Sequence, residues 1–430
     1  MVVSAGVQVP QSGQYIPFGL LSSFLVVSLS SYALIFDPGN FAGEAKLSKQ
    51  GDFGLNIIEF LEKYEYPVEC HEVTTEDGYL LTMHRIPHGR NQTNTTTPFV
   101  EKPPVLLMHG LFFSSMDWVN TGPNKSLALN LADLGYDVWL GNNRGNTWSR
   151  KHLVLDPDLD QKFWDFSFDT CGCFDLPAKI DYILNTTGRE KLSYVGFSQG
   201  TTAFFALASL KPEYNEKIAV MAALGPVAYM RNLAEPVAQF YSYFMAWFVA
   251  VLDLFGVNEI FSNTPLLLRL LEMFCVETSI FQDLCLNVLF FLTGEDLVQF
   301  ERSFVEVAIS NAPAGISLKM LSHYIQGIDS GDFTRYDYGL KNMEVYGQLS
   351  PPSYNVSLIT TPVALFYAKN DRFSPVRDVE QLANQLPNVV LKNLIEWELF
   401  NHIDFVLARD VKTLLNDDVI KLLNVYNFIS

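Results

Sequence analysis

Apolar runs recur along the chain, each stopped by Gly, Asn or a charged turn: Val105–Met108, Tyr136–Leu140, Leu192–Val195, Lys217–Leu224 and Pro362–Tyr367. Short continuous runs of this kind predict buried parallel strands rather than half-exposed ones. Residues 68–86 (VECHEVTTEDGYLLTMHRI) instead alternate, with a Glu76-Asp77-Gly78 turn in the middle. That pattern predicts an antiparallel hairpin at the edge of the sheet. Helical periodicity covers Leu55–Tyr64, the run after Ser198, a segment after Pro375 and the C-terminal stretch. A further helix is expected within 163–184, with Asp175 as N-cap and Pro177 in its first turn. Val389–Leu391 predicts a short last strand. Between 229 and about 354 the strand–turn–helix rhythm stops, and long apolar helical runs rich in aromatic residues and Met replace it. Pro236–Leu252 carries no charge, but 17 residues is the short limit for a bilayer span and Asp253 interrupts it. The block is expected to be a helical cap whose apolar inner face lines a pocket. The fold class is α/β: a mostly parallel central sheet, helices on both faces, and an inserted helical cap or lid.

The end of one predicted strand carries the first chemistry. Gly196-Phe197-Ser198-Gln199-Gly200 lies between an apolar strand and an Ala- and Phe-rich helix. Strand, G-x-S-x-G, helix is the nucleophile elbow of α/β-hydrolases. A side chain at either glycine would strike the packed strand or helix, and the turn lifts the serine hydroxyl clear of both. The five-residue pattern alone arises by chance in about one chain in seven of this length, so the rest of the machinery decides. Asp371 stands just past the strand Pro362–Tyr367, where an acid belongs, whereas Asp378 and Glu380 fall in the following helix. Of the seven histidines only His323 and His402 follow Ser198, and His323 precedes Asp371. The order Ser198, Asp371, His402 is therefore nucleophile, acid, base. Asp404 is the rival acid, too close in sequence to His402 to face it well. The N–H groups of Leu111, in the His109-Gly110 loop, and of Gln199 are the candidate oxyanion donors. His109 itself is read as a structural histidine, and Arg144 as half of a structural ion pair.

Composition narrows the setting. With 47 acidic and 29 basic residues, net charge −18, the chain offers no basic face for a nucleic acid. The first 36 residues are uncharged and Phe18–Phe36 is strongly apolar, with small residues around Ser31-Tyr32-Ala33. A secretory signal over 1–36 is expected, although its leading part lacks the usual Lys or Arg, and an uncleaved signal-anchor is the alternative. The rest then divides into a first core part (37–228), the cap (229–354) and a last core part (355–430). N-x-S/T sequons at Asn91, Asn94, Asn124, Asn185 and Asn355 suit an exported glycoprotein. Five cysteines leave at least one without an intrachain partner. Cys275 and Cys285 are near enough to staple a short loop, while Cys171 and Cys173 are too close in sequence to bridge each other. No Cys/His cluster has metal-ligand spacing, so neither a metal nor a cofactor is expected.

Longer blocks carry a family resemblance. YPVECHEVTTEDGYLLTMHRIPHG, HGLFFSSMDW, GNNRGNTWSRKH, FWDFSFD, DLPAKIDYI, YVGFSQGTT and NHIDF together resemble the eukaryotic acid lipases, the gastric and lysosomal lipase family with its insect members, over residues 54 to 425. The resemblance implies an α/β-hydrolase core with cap and lid. It also implies hydrolysis of triacylglycerols and, in some members, cholesteryl esters. Its catalytic residues fall on Ser198, Asp371 and His402, its oxyanion donors on Leu111 and Gln199, and a cap disulfide falls near Cys275 and Cys285. The expected partner is a lipid ester at an oil–water or membrane interface, with no nucleic acid and no obligate protein partner. The expected location is extracellular, with the lysosome as alternative. Two departures stand out: Phe197 replaces the family's usual His before the serine, and Cys70, Cys171 and Cys173 replace more ordinary residues. Rival readings are a non-catalytic lipid carrier on the same scaffold and an esterase for smaller hydrophobic esters.

Overall fold

The apolar runs become the strands they predict. A computed structural model describes residues 51–90, 102–262, 264–275 and 281–428. The apolar segment expected to be a signal, and the sequons at Asn91 and Asn94, lie outside them. Strands β1 (Glu69–Thr74) and β2 (Leu80–Ile86) form the antiparallel hairpin. Strands β3 (Pro104–Met108), β4 (Asp137–Gly141), β5 (Leu192–Phe197) and β6 (Ile218–Leu224) follow. Two short strands, β7 (Glu259–Ile260) and β8 (Ile316–Ser317), pair with each other apart from the main sheet, and β9 (Val363–Tyr367) and β10 (Val389–Leu394) return to it. The main sheet has eight strands in the order β1-β2-β4-β3-β5-β6-β9-β10. Contacts from β4 through β10 are parallel, and β2 joins β4 antiparallel. The hairpin is thus the antiparallel edge that its alternation predicts.

Every residue of β3, β4 and β5 is buried, which explains their unbroken apolar character. Alternate side chains feed two cores, one on each face. Leu106, Met108 and Tyr194 point to one, and Val105, Leu107, Val195 and Phe197 to the other. Strand β10 runs three residues beyond the apolar segment that predicts it, and its alternating exposure marks it as the opposite edge.

Helices α1 (Ile57–Lys63), α2 (Leu127–Asp133), α3 (Leu176–Thr187) and α4 (Gln199–Leu210) precede β6 or connect the strands before it. Between β6 and β9 lies the helical block: α5 (Glu235–Leu254), α6 (Pro265–Cys275), α7 (Gln282–Thr293), α8 (Arg302–Asn311) and α9 (Leu318–Ser330). Helices α10 (Val376–Gln385) and α11 (Asp417–Asn427) close the chain.

One helix start differs from expectation. Asp175 is not an N-cap: its own backbone is helical (φ −68, ψ −48) and its side chain caps nothing. The helical path begins at Phe168, capped by Ser167, and passes through a wide turn at Cys171–Asp175 before α3. Asp175 is drawn away from capping because its carboxylate is engaged by Arg144.

Candidate active site

The site is built from the turn between β5 and α4. Ser198 sits at φ 51, ψ −115, a region that strains any residue with a Cβ. The strain is held by packing on both sides. A Cβ on Gly196 would stand 2.8 Å from the Gly200 carbonyl carbon, and one on Gly200 only 2.3 Å from the Met108 carbonyl oxygen. The turn is tied down by the Ser198 N–H donating to the Leu224 oxygen (3.0 Å) and by the Thr201 hydroxyl donating to the Ser198 oxygen (2.6 Å).

Two loops from the far end of the chain meet this serine. His402 Nε2 lies 2.8 Å from Ser198 Oγ. Its Nδ1 lies 2.9 and 2.8 Å from the two oxygens of Asp371. Asp371 Oδ1 also accepts the N–H groups of Phe373 and Ser374, both at 2.9 Å, so the acid is fixed before it touches the imidazole. Both His402 and Asp371 are buried. Asp404 does not share this geometry. Its carboxyl accepts the Asn401 N–H at 2.7 Å and faces Asp296. Burial first, then Asp296 and Asp371, push its pKa up to about 8. Asp378 and Glu380 point elsewhere, to Asn232 and to Tyr367 and Lys392.

The register Met108↔Gly196 sets the Gly110–Leu111 loop beside the serine turn. Phe197 fixes that approach, since a Cβ on Gly110 would stand 2.9 Å from its ring. Among the described residues no acceptor meets the Leu111 N–H or the Gln199 N–H. Gln199 opens α4, where the first N–H groups lack intrahelical partners and carry the positive end of the helix dipole. His109 has the structural place expected: Nδ1 meets the Gly110 oxygen at 2.8 Å and Nε2 accepts the Asn143 N–H at 3.1 Å. Complete burial pushes its pKa down to about 4, so the ring is neutral. Arg144 is buried between Asp77 and Asp175, at 2.6 Å from each, and its ring neighbour is Tyr79.

The helical block reaches the site through aromatic rings. Tyr241 of α5 touches Phe373, and Phe373 and Phe197 each lie 5.1 Å from the His402 ring. Along α5 the buried residues Val237, Tyr241, Met245, Phe248 and Leu252 fall on one stripe. The opposite face is also apolar and open, with Tyr243 75%, Leu254 82% and the adjoining Phe255 72% exposed. An apolar inner face is what the sequence predicts; the apolar outer face is an addition to it.

Cys275 and Cys285 are disulfide-bonded, with Cα atoms 5.4 Å apart. Cys70, Cys171 and Cys173 are free thiols, and nothing in their surroundings assigns them a role. Asn124, Asn185 and Asn355 are exposed. Sequence reasoning passes over Asn401, whose side chain accepts the Ile403 and Asp404 N–H groups and donates to the Gly294 oxygen at 2.9 Å. The only sequence cue to it was its place beside His402.

Comparisons with known proteins show the family. Residues 57–122 match the family described as a partial alpha/beta-hydrolase lipase region, and residues 103–406 match the alpha/beta hydrolase fold. Lipase 1 of Drosophila melanogaster is 41% identical, covering 86% of this chain and 80% of that protein. Gastric triacylglycerol lipase of Bos taurus is 38% identical over 92% of this chain and 98% of its own length. Human lysosomal acid lipase/cholesteryl ester hydrolase is 39% identical over 86% and 91%.

Proposed function

The chain belongs to the eukaryotic acid lipases of the α/β-hydrolase fold and is an ester hydrolase of the lipase type, and from that premise we propose that it cleaves neutral lipid esters through an acyl-enzyme on Ser198. The observation that carries the proposal is the continuous set of contacts Ser198–His402–Asp371, each no longer than 2.9 Å, on a strained serine.

In the proposed reaction Ser198 Oγ attacks the ester carbonyl carbon as His402 Nε2 takes its proton. Serine at its own pKa is a poor nucleophile, so this base is essential. Asp371 holds the imidazole tautomer and stabilises the imidazolium. The tetrahedral oxyanion accepts the N–H groups of Leu111 and Gln199, each donor contributing about 3–4 kcal/mol. Collapse breaks the bond to the alcohol oxygen, and His402 returns the proton to the leaving alcohol. Water, deprotonated by His402, then attacks the acyl-enzyme, and the carboxylic acid leaves as Ser198 regains its proton.

Triacylglycerols are the proposed substrates, with cholesteryl esters as a second class; the names of the bovine and human relatives support both. The block 229–354 is proposed as the cap over the site, and the open apolar face of α5 supports work at an oil–water or membrane surface. Secretion is the proposed route, with lysosomal delivery as its alternative. The uncharged N-terminal segment, the sequons, three of them on exposed asparagines, and the disulfide support it. Hydrolysis of emulsified triolein and cholesteryl oleate by purified protein, compared with a soluble short-chain ester, tests the substrate class. No preference for the emulsified lipids would overturn it.

A further inference from the structure

The two loops that deliver the acid and the histidine meet directly, with Asn370 donating to the Leu399 oxygen at 2.7 Å and Lys369 paired with Glu398, and a strap from the helical block holds both. It runs from the end of α7 to residue 301. Arg372 donates to the Phe291 oxygen at 2.6 Å, and the His402 N–H donates to the Thr293 oxygen at 3.2 Å. Asn401 donates to the Gly294 oxygen at 2.9 Å, and Asn370 to the Glu295 oxygen at 3.0 Å. Gly294, at φ 108, lets the strap lie this close, since a Cβ there would stand 2.2 Å from the Asn370 oxygen. Further along, the Arg409 N–H donates to the Gln299 oxygen at 2.8 Å.

At the middle of the strap two buried carboxyl groups face each other. Asp296 already accepts three donors: the Val298 and Gln299 N–H groups at 3.1 Å each, and Trp397 Nε1 at 2.5 Å. Asp404, two residues beyond His402, is within hydrogen-bonding reach of it. Two buried acids at contact distance cannot both ionise, so one keeps its proton. Burial and its acidic neighbours favour the protonated form of Asp404. We infer that Asp404 and Asp296 are positioning residues for the proposed reaction: as a carboxylic acid and a carboxylate sharing one proton, they fasten the His402 loop to the strap.

Among the described residues neither carboxyl forms an ion pair with a cation. From its own loop Asp404 sees the Asn401 N–H and, through it, His402 held on Asp371; from the strap it sees Asp296. The charges acting on it, Asp296 and Asp371, are both acidic. Arg409 is paired with Glu301, Asp410 is held by Gln299, and Lys369 is turned to Glu398. Loss of the shared proton therefore sets two like charges against each other inside the protein. That forces the histidine loop off the strap and costs turnover without touching the reacting atoms. The burial and the acidic neighbours that raise the Asp404 pKa to about 8 set where this happens.

The inference rests on the proposed triad, and its test keeps the two apart. A serine–histidine–acid site alone gives kcat that rises with pH to a plateau and has no descending limb. The shared proton adds a descending limb centred near pH 8. The experiment is the pH profile of kcat and KM on a soluble short-chain ester, from pH 5 to 10, for the wild type, Asp404→Asn and Asp404→Ala. Asn accepts the Asn401 N–H and donates to Asp296 as the protonated acid does, but cannot ionise. Asp404→Ala is expected to lose about tenfold or more in kcat at every pH with KM little changed, in keeping with a misplaced base. Asp404→Asn is expected to recover most of that loss at pH 6 and to abolish the descending limb. A wild-type limb retained in Asp404→Asn, or equal activity of the two variants at pH 6, overturns the inference. Hydrogen exchange in the wild type is a second readout that needs no variant. After correction for the intrinsic rate, the peptide holding Asn401–Asp404 should lose protection above pH 8 while α4 does not. Unchanged protection overturns the inference equally. Failure of the wild type to hydrolyse the ester or to react with a fluorophosphonate would instead overturn the triad itself.

Discussion

Gly200→Ala is expected to leave a folded protein with a poor oxyanion hole. The added Cβ would stand 2.3 Å from the Met108 carbonyl oxygen, where ordinary contact begins at 3.4 Å. About 1 Å must be found, and the obstacle is backbone, not a side chain that can swing away. Met108 is the last residue of β3, three residues before the Leu111 donor. Overpacking costs about 1–3 kcal/mol. The change from Gly to Ala within a helix offsets about 0.5–1 kcal/mol of that, so folding survives. Catalysis does not tolerate the same displacement: a 1 Å error in a catalytic group costs on the order of a hundredfold. This is close to the loss of one oxyanion donor, about 3 kcal/mol. The loss should fall on kcat with KM nearly unchanged, because the donor serves the tetrahedral intermediate more than the ground state. Steady-state kinetics on a soluble ester, with thermal unfolding as control, makes the check. A folded Gly200→Ala enzyme with kcat/KM within about threefold of wild type would refute the link between elbow crowding and the oxyanion loop.

His402→Ala and Asp371→Ala should each abolish turnover while circular dichroism and the melting temperature stay close to wild type. Comparable collapse of folding in both would undo the assignment. Arg144→Met should cost about 3–5 kcal/mol in urea unfolding, because it removes the close partner of buried Asp175 and leaves only Lys179, 4.0 Å away; a change under about 1 kcal/mol would mean that the pair is idle. Burial lowers the pKa of His84 and His109 to about 4 and that of His323 to about 3. Each is depressed below its unfolded value, so its contribution is intact above about pH 6.5 and is lost as pH falls through the folded value. Stability should therefore decline on acidification below about 6.5, by up to about 1.4 kcal/mol per pH unit for each histidine. His323→Gln should flatten the slope by one proton; an unchanged slope in urea unfolding at pH 4 to 7 would contradict the burial argument. Asp404 acts oppositely: its raised pKa removes stability as pH rises from about 4 to 8.

The strands and the serine turn were legible because their signals are local. Fully buried parallel strands need unbroken apolar runs, and the crowding at the elbow demands glycine at 196 and 200. That Asp371 and His402 come together at Ser198 was legible from their order and from their places after strand ends. Asp175 misled because Asp before Leu-Pro reads as a cap, and nothing nearby shows that Arg144, 31 residues earlier, claims its carboxylate. The pairing of β7 with β8 and the Asp296–Asp404 contact join residues far apart in sequence, where no periodicity reports them. The outer face of α5 escaped because its stretch Pro236–Leu252 carries no charge to mark which face is open.

The central claim is that Ser198 is an acyl-transfer nucleophile activated by His402. Labelling of the purified, folded protein with a fluorophosphonate, followed by peptide mapping, tests it most directly. One adduct per chain is expected, on the peptide Lys191–Leu210, lost in Ser198→Ala and at least a hundredfold slower in His402→Ala. Folded wild-type protein that takes no label, or that takes it equally well without His402, would contradict it.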